Sequence, residues 1–127
     1  MLDDPTPQST NGIVALENEL LIRDFIDLFN DGALDEMRTF LHPDVVYRAP
    51  GSSITGPDGV LGIVRQLREA FDVIQMKIRA IGLGERTVLV EHSLRLALPG
   101  ETAHWVSAFA TFELRDYQIC EWRQVHG

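Results

Sequence analysis

The chain has 127 residues, 45% of them hydrophobic and 24% charged, the composition of one globular domain able to bury roughly two-thirds of its unfolded surface. Asp and Glu number 19 against 11 Lys and Arg, a formal net charge of -8, and such a surface lacks the electrostatic footprint of a nucleic-acid binder. One cysteine, Cys120, excludes an internal disulfide and a cysteine-based zinc site; with no apolar run of membrane-span length and an acidic start where a secretory signal would be basic, a soluble cytoplasmic protein is expected.

Residues 1–11 carry Pro5, Pro7 and several small polar residues with little to bury, and read as a flexible arm before a single domain over residues 12–127. From Ile13 the apolar residues Leu16, Leu20, Leu21, Phe25, Leu28 and Phe29 follow at helical spacing, stopped by Asn30-Asp31-Gly32. A short helix through Leu34, Met37 and Phe40 follows, and His42-Pro43-Asp44 is expected to turn the chain. Val45-Val46-Tyr47-Arg48-Ala49 reads as a short edge or bent strand, and Pro50-Gly51-Ser52-Ser53 as a turn. Pro57 opens a third helix that gathers Val60, Ile63, Val64, Leu67 and Phe71 on one face. Four strands are predicted after it, at residues 74–83, 88–98, 103–114 and 119–125. Helices first and a meander afterwards define an α+β class.

Alternation along the strands groups Val88, Val90, His92, Leu94 and Leu96 on one face, and His104, Val106, Ala108, Ala110, Phe112 and Leu114 on another. The small Ala108 and Ala110 in an inward row leave room for a cavity inside a curved sheet. Trp105 and Phe109, on the opposite face, suit a homodimer contact. The last strand sets Cys120, Trp122, Gln124 and His126 in one row, and their density of hydrogen-bonding groups, joined by Tyr47 and His92, points to one apolar pocket with polar anchors.

The order of elements, with Asp27 to Asn30 and Leu34, Tyr47 before the turn, Phe71-Asp72-Val73, Glu91 to Pro99, Phe112-Glu113-Leu114 and Trp122-Arg123, resembles the nuclear transport factor 2-like superfamily. Within it the chain is similar to limonene-1,2-epoxide hydrolase and the SnoaL-like polyketide cyclases over residues 13–125. The resemblance implies a cone-shaped α+β fold, a deep apolar pocket inside the curved sheet, and a dimer through that sheet. It does not carry the hydrolase's catalytic set. Only the tyrosine is matched, by Tyr47. The water-positioning asparagine falls at Ala49, the activating aspartate at Gln124, and the arginine-x-aspartate pair at His92 and Leu94. A ketosteroid isomerase would want a carboxylate near Ala49 and a tyrosine near Phe25, and has neither.

His92 reads either as a satisfied core histidine or as the general base, and Tyr47 either as a packed phenol or as a donor to a substrate oxygen. Gln124 orients a ligand but is no base. Trp122, His104, Phe25, Phe29, Val106 and Ala108 are the expected remainder of the ligand-binding wall. Cys120 has no cation beside it in sequence and reads as an inert thiol. No metal or cofactor is expected: His92, His104 and His126 match no local ligand motif, and Gly82-Leu83-Gly84 sits in a hairpin, not in a phosphate-binding loop. The functional expectation is a pocket for a small apolar, oxygen-bearing molecule, serving an isomerase, cyclase or hydratase with His92 as base, or else a non-catalytic binding or dimerisation domain.

Overall fold

A stripe of Ile22, Phe25, Ile26 and Phe29, each at most 2% exposed, lays the first helix on the sheet and anchors the architecture. The computed structural model describes residues 5–126, with side chains over 12–125. Its helices are α1 (Pro5–Asp31), α2 (Leu34–Arg38) and α3 (Pro57–Ala70). The strands are β1 (Leu41–Ala49), β2 (Ser52–Thr55), β3 (Val73–Leu83), β4 (Thr87–Ala97), β5 (His104–Arg115) and β6 (Gln118–His126). They form one curved six-stranded sheet in the order β2-β1-β6-β5-β4-β3. The pairs β3–β4, β4–β5 and β5–β6 are antiparallel, as the meander predicts, and β6 then lies parallel to β1.

Four sequence expectations differ from this arrangement. The arm expected over residues 1–11 falls partly on residues 1–4, outside the described residues, while the backbone of α1 is helical from Pro5. Ile13, Leu16 and Leu20 stay exposed, because the buried face of α1 runs through Asn18, Ile22, Phe25, Ile26 and Phe29 and these three lie off it. The turn at His42-Pro43 is instead part of β1, whose ladder with β6 is interrupted between Leu41 and Val46 to pass the proline. Finally, Ser52 and Ser53 belong to β2, which pairs with the end of β1 and makes that strand internal rather than an edge.

Three contacts hold the helices over the concave face. Asn30, at the end of α1, uses its amide as a strand would: Nδ2 donates to the Met76 carbonyl at 2.9 Å and Oδ1 accepts from the Met76 N–H at 2.7 Å. One turn of chain later Gly32 adopts φ +71°, and a Cβ there would displace the Arg68 guanidinium that donates to the Phe29 carbonyl at 3.0 Å. On α3, the bare backbone of Gly59 lets Ile54 of β2 pack against the helix. These contacts set α1 and α3 across the sheet and leave a gap between them. Asn30→Ala strips both partners from a part-buried backbone peptide and should cost about 2 kcal/mol in urea unfolding, while Asn30→Asp, which keeps the acceptor, should cost less.

Candidate functional site

The gap is an apolar cavity of about 350 Å³. Phe29 of α1 and Ile63 and Leu67 of α3 close it from above; Ile74 and Met76 of β3 and Leu94 and Leu96 of β4 form one wall. Tyr47 and Ala49 of β1, Ser52 of β2, and Trp122 and Gln124 of β6 form the other. Among the described residues none that lines it is charged, so its polar chemistry comes from a phenol, a hydroxyl, an indole and a primary amide.

Trp122 is the floor. Phe25, Phe29 and Tyr47 meet it edge-on at ring-centre distances of 5.5, 6.4 and 5.1 Å, and Phe112 stacks on it at 5.6 Å. Two residues along β6 and on the same face, Gln124 accepts the indole N–H on Oε1 at 3.2 Å, and its Nε2 lies 2.9 Å from Nε2 of His92. An indole nitrogen only donates, so the amide oxygen must face it and the amide N–H₂ must face the histidine, whose Nε2 therefore accepts. The arrangement is that of a neutral imidazole with its proton on Nδ1. Trp122, Gln124 and His92 are all buried. Across the ladder, Ala108 faces His92 and Ala110 faces Gln124, and these small neighbours give the ring and the amide their space.

Of the residues expected at the pocket, Tyr47, Phe29, Trp122 and Gln124 do come together around the cavity. The others are placed elsewhere. His92, inward by parity as expected, is fully buried and does not line the cavity, but lies against Gln124, which does. Phe25 lies below Trp122, packed on Phe40 and Phe112. Ala108 is buried beside His92. His104 and Val106 are exposed, because residues 104–107 of β5 are open to solvent on both faces. Cys120 leaves the inner row as well: a break in the β5–β6 ladder between Glu113 and Leu114 turns Ile119 inward in its place. Its thiol donates to the Glu113 carbonyl at 3.3 Å, and burial, then the Glu113 charge, pushes its pKa up. The side chain of His126 lies outside those described.

Sequence reasoning missed Ala49, Ser52, Ile63, Leu67, Phe71, Ile74, Met76, Leu94 and Leu96 as lining residues. The apolar stripe of α3 carried the signal for Ile63, Leu67 and Phe71, opposite Arg65, Arg68 and Glu69. Ser52 gave none, since a two-serine run after Pro-Gly reads as a turn.

A family model for the SnoaL-like domain matches residues 22–122. The chain belongs to the SnoaL-like domain family. Among solved structures it is similar to an epoxide hydrolase of Mycobacterium tuberculosis described as LEH-like, with 24% identity, 89% of this chain and 84% of that one covered, and a TM-score of 0.78. A protein described as a polyketide cyclase from Xanthomonas campestris pv. campestris gives 18%, 89%, 92% and 0.81 by the same measures. One described as a ketosteroid isomerase from Kribbella flavida gives 20%, 89%, 79% and 0.76. At these identities the likeness establishes the α+β fold of this SnoaL-like chain. Among curated proteins nothing matches.

Burial holds the Tyr47 phenol above its ordinary 10.0, so the neutral, donating form is the one the cavity contains at neutral pH. A folded-state pKa raised in this way contributes stability that is complete below pH 10 and is lost as pH rises through the folded value. Tyr47→Phe should therefore flatten the alkaline fall in unfolding free energy, compared between about pH 7 and about pH 10.5 by urea titration. Gln124→Leu, which strands the Trp122 N–H and the His92 nitrogen together, should cost about 2–3 kcal/mol.

Proposed function

We propose that this SnoaL-like domain binds a small, largely apolar molecule in the cavity, with Tyr47 and Gln124 donating hydrogen bonds to an oxygen on it. The supporting observation is a cavity of about 350 Å³ whose polar anchors are neutral and whose described lining carries no charge. Donors of this kind also suit an isomerisation, cyclisation or hydration in which negative charge develops on that oxygen. In this reading His92 is a positioning residue: its nitrogen holds the Gln124 amide, and acting as a base on substrate would require it to release that amide first. The proposal invokes no metal or cofactor.

The non-catalytic alternative draws on a specific feature. Ala49 and Gln124, where the resemblance to the epoxide hydrolases would put an asparagine and an aspartate, both line the cavity, and neither can take a proton. A thermal-shift screen against terpenoids, steroids, polyketide aromatics and their epoxides tests the binding reading, since a ligand at about 100 times its dissociation constant adds roughly 2.7 kcal/mol. A hit should weaken about tenfold in Tyr47→Phe, and an equal affinity in the variant would remove the phenol from the site. Product formation from such a hit separates enzyme from binding domain.

The partner proposed for the outer sheet face is a second copy of the chain. Trp105 is 55% and Phe109 49% exposed there, with Val125 beside Phe109 across the ladder. Sedimentation should give a dimer, and Trp105→Lys with Phe109→Lys a monomer. Among the described residues no helix is long and apolar enough to cross a membrane; a reducing cytoplasm, consistent with one cysteine, belongs to the same proposal.

A further inference from the structure

A second hollow, about 520 Å³, lies at the joined ends of β1 and β6 beside the cavity, and Ala49, Ser52 and Gln124 line both. Its character is different. Arg48 and Arg123 stand in it as direct neighbours on the parallel ladder, with Ser53 close by on β2, and among the described residues no carboxylate lines it. Alternation puts the two arginines on the opposite face from Tyr47 and Trp122, at the outer surface of the sheet end that also bounds the cavity.

The two guanidinium groups share one acid. Glu121 receives Arg48 Nε on Oε2 at 3.0 Å and Arg123 Nη2 on Oε1 at 3.5 Å. Glu113 stands opposite Glu121 on β5, and neither acid lines the hollow. Within the described lining of the hollow the two guanidinium groups are the only charges, in a chain whose formal charge is -8. Stability does not account for it, because ion pairs this exposed contribute little. Each guanidinium has five N–H donors, and these contacts to Glu121 use one apiece. The pair is set, as a carboxylate-binding fork is, at the rim of an apolar cavity.

We propose that this hollow is an anion subsite, and that the cavity's ligand is an amphiphile whose carboxylate sits at Arg48 and Arg123 while its apolar body fills the cavity. The inference rests on the cavity being a ligand site, as proposed above. A carboxylate is favoured over a phosphate monoester because Glu121 already offsets part of the arginine pair's charge, whereas the phosphate carries close to two at neutral pH.

The test compares octanoate, 1-octanol and octyl phosphate by calorimetry on the full chain, with circular dichroism to verify that each variant is folded. Octanoate should bind about tenfold more tightly than octanol, with an advantage that shrinks at high salt. Arg48→Gln with Arg123→Gln should abolish that difference. Glu121→Gln, which releases both arginines, should tighten octanoate severalfold, a gain that a purely structural ion network would not produce. Octanol binding as well as octanoate, or Glu121→Gln leaving octanoate unchanged or weaker, overturns the subsite while the cavity reading stands. Octyl phosphate binding more tightly than octanoate overturns the monoanion assignment. If none of the three binds, the cavity reading fails and the subsite falls with it.

Discussion

An indole nitrogen donates one hydrogen bond and accepts none, and the interior of this protein is organised around that asymmetry at Trp122. Because the N–H of Trp122 meets Oε1 of Gln124, the amide has one orientation, and because the amide has one orientation, His92 has one tautomer. The same ring system binds the core together from its other sides, through Phe25, Phe29, Tyr47 and Phe112. A single side chain thus joins the packing of α1 on the sheet to the polar chemistry at the cavity. Replacing any member of the trio strands a buried polar group on another, which explains why three polar residues can persist in a row that otherwise holds Val88, Val90, Ile119 and Phe112.

Much of this architecture was legible from periodicity. The helical spacing of Phe25 and Phe29, the alternation through Val88, Val90, His92 and Leu94, and that through Ala108, Ala110, Phe112 and Leu114 all assigned inward faces that burial supports. What alternation does not report is whether a face is covered. His104 and Val106 share parity with Ala108 and yet meet solvent, because cover depends on the span of the helices and not on the strand. Nor does it survive a ladder break, as Cys120 and Ile119 show. The four-residue β2 escaped detection for a different reason: three of its residues are exposed, so it carries no buried pattern to read.

The candidate site illustrates a second limit. Chemistry is a property of residue type, and Tyr47, Gln124 and Trp122 could be picked out on that ground alone. Depth is not. His92 and Leu94 are two residues apart on one face, yet Leu94 lines the cavity and His92 lies beneath an amide. The difference is set by where α3 crosses the sheet, through Ile63 and Leu67, and by which neighbour, here Ala110 beside Gln124, is small enough to let a long side chain lie over the histidine. Both are consequences of three-dimensional packing among segments far apart in sequence.

The absence of carboxylate and imidazole from the described cavity lining has a chemical consequence. Tyr47 is its one ionisable group, and burial keeps that phenol protonated beyond the ordinary range. A site built in this way can donate hydrogen bonds across the whole neutral range, but it has no group of its own that gains or loses a proton there. Any catalysis by these residues would then rest on stabilising charge at a ligand oxygen, an effect for which one well-placed donor is typically worth about 3–4 kcal/mol, with proton movement left to the substrate or to water. The guanidinium groups beside the cavity are likewise hydrogen-bond donors that accept nothing. The described lining of this pocket thus offers fixed donors rather than an acid–base pair.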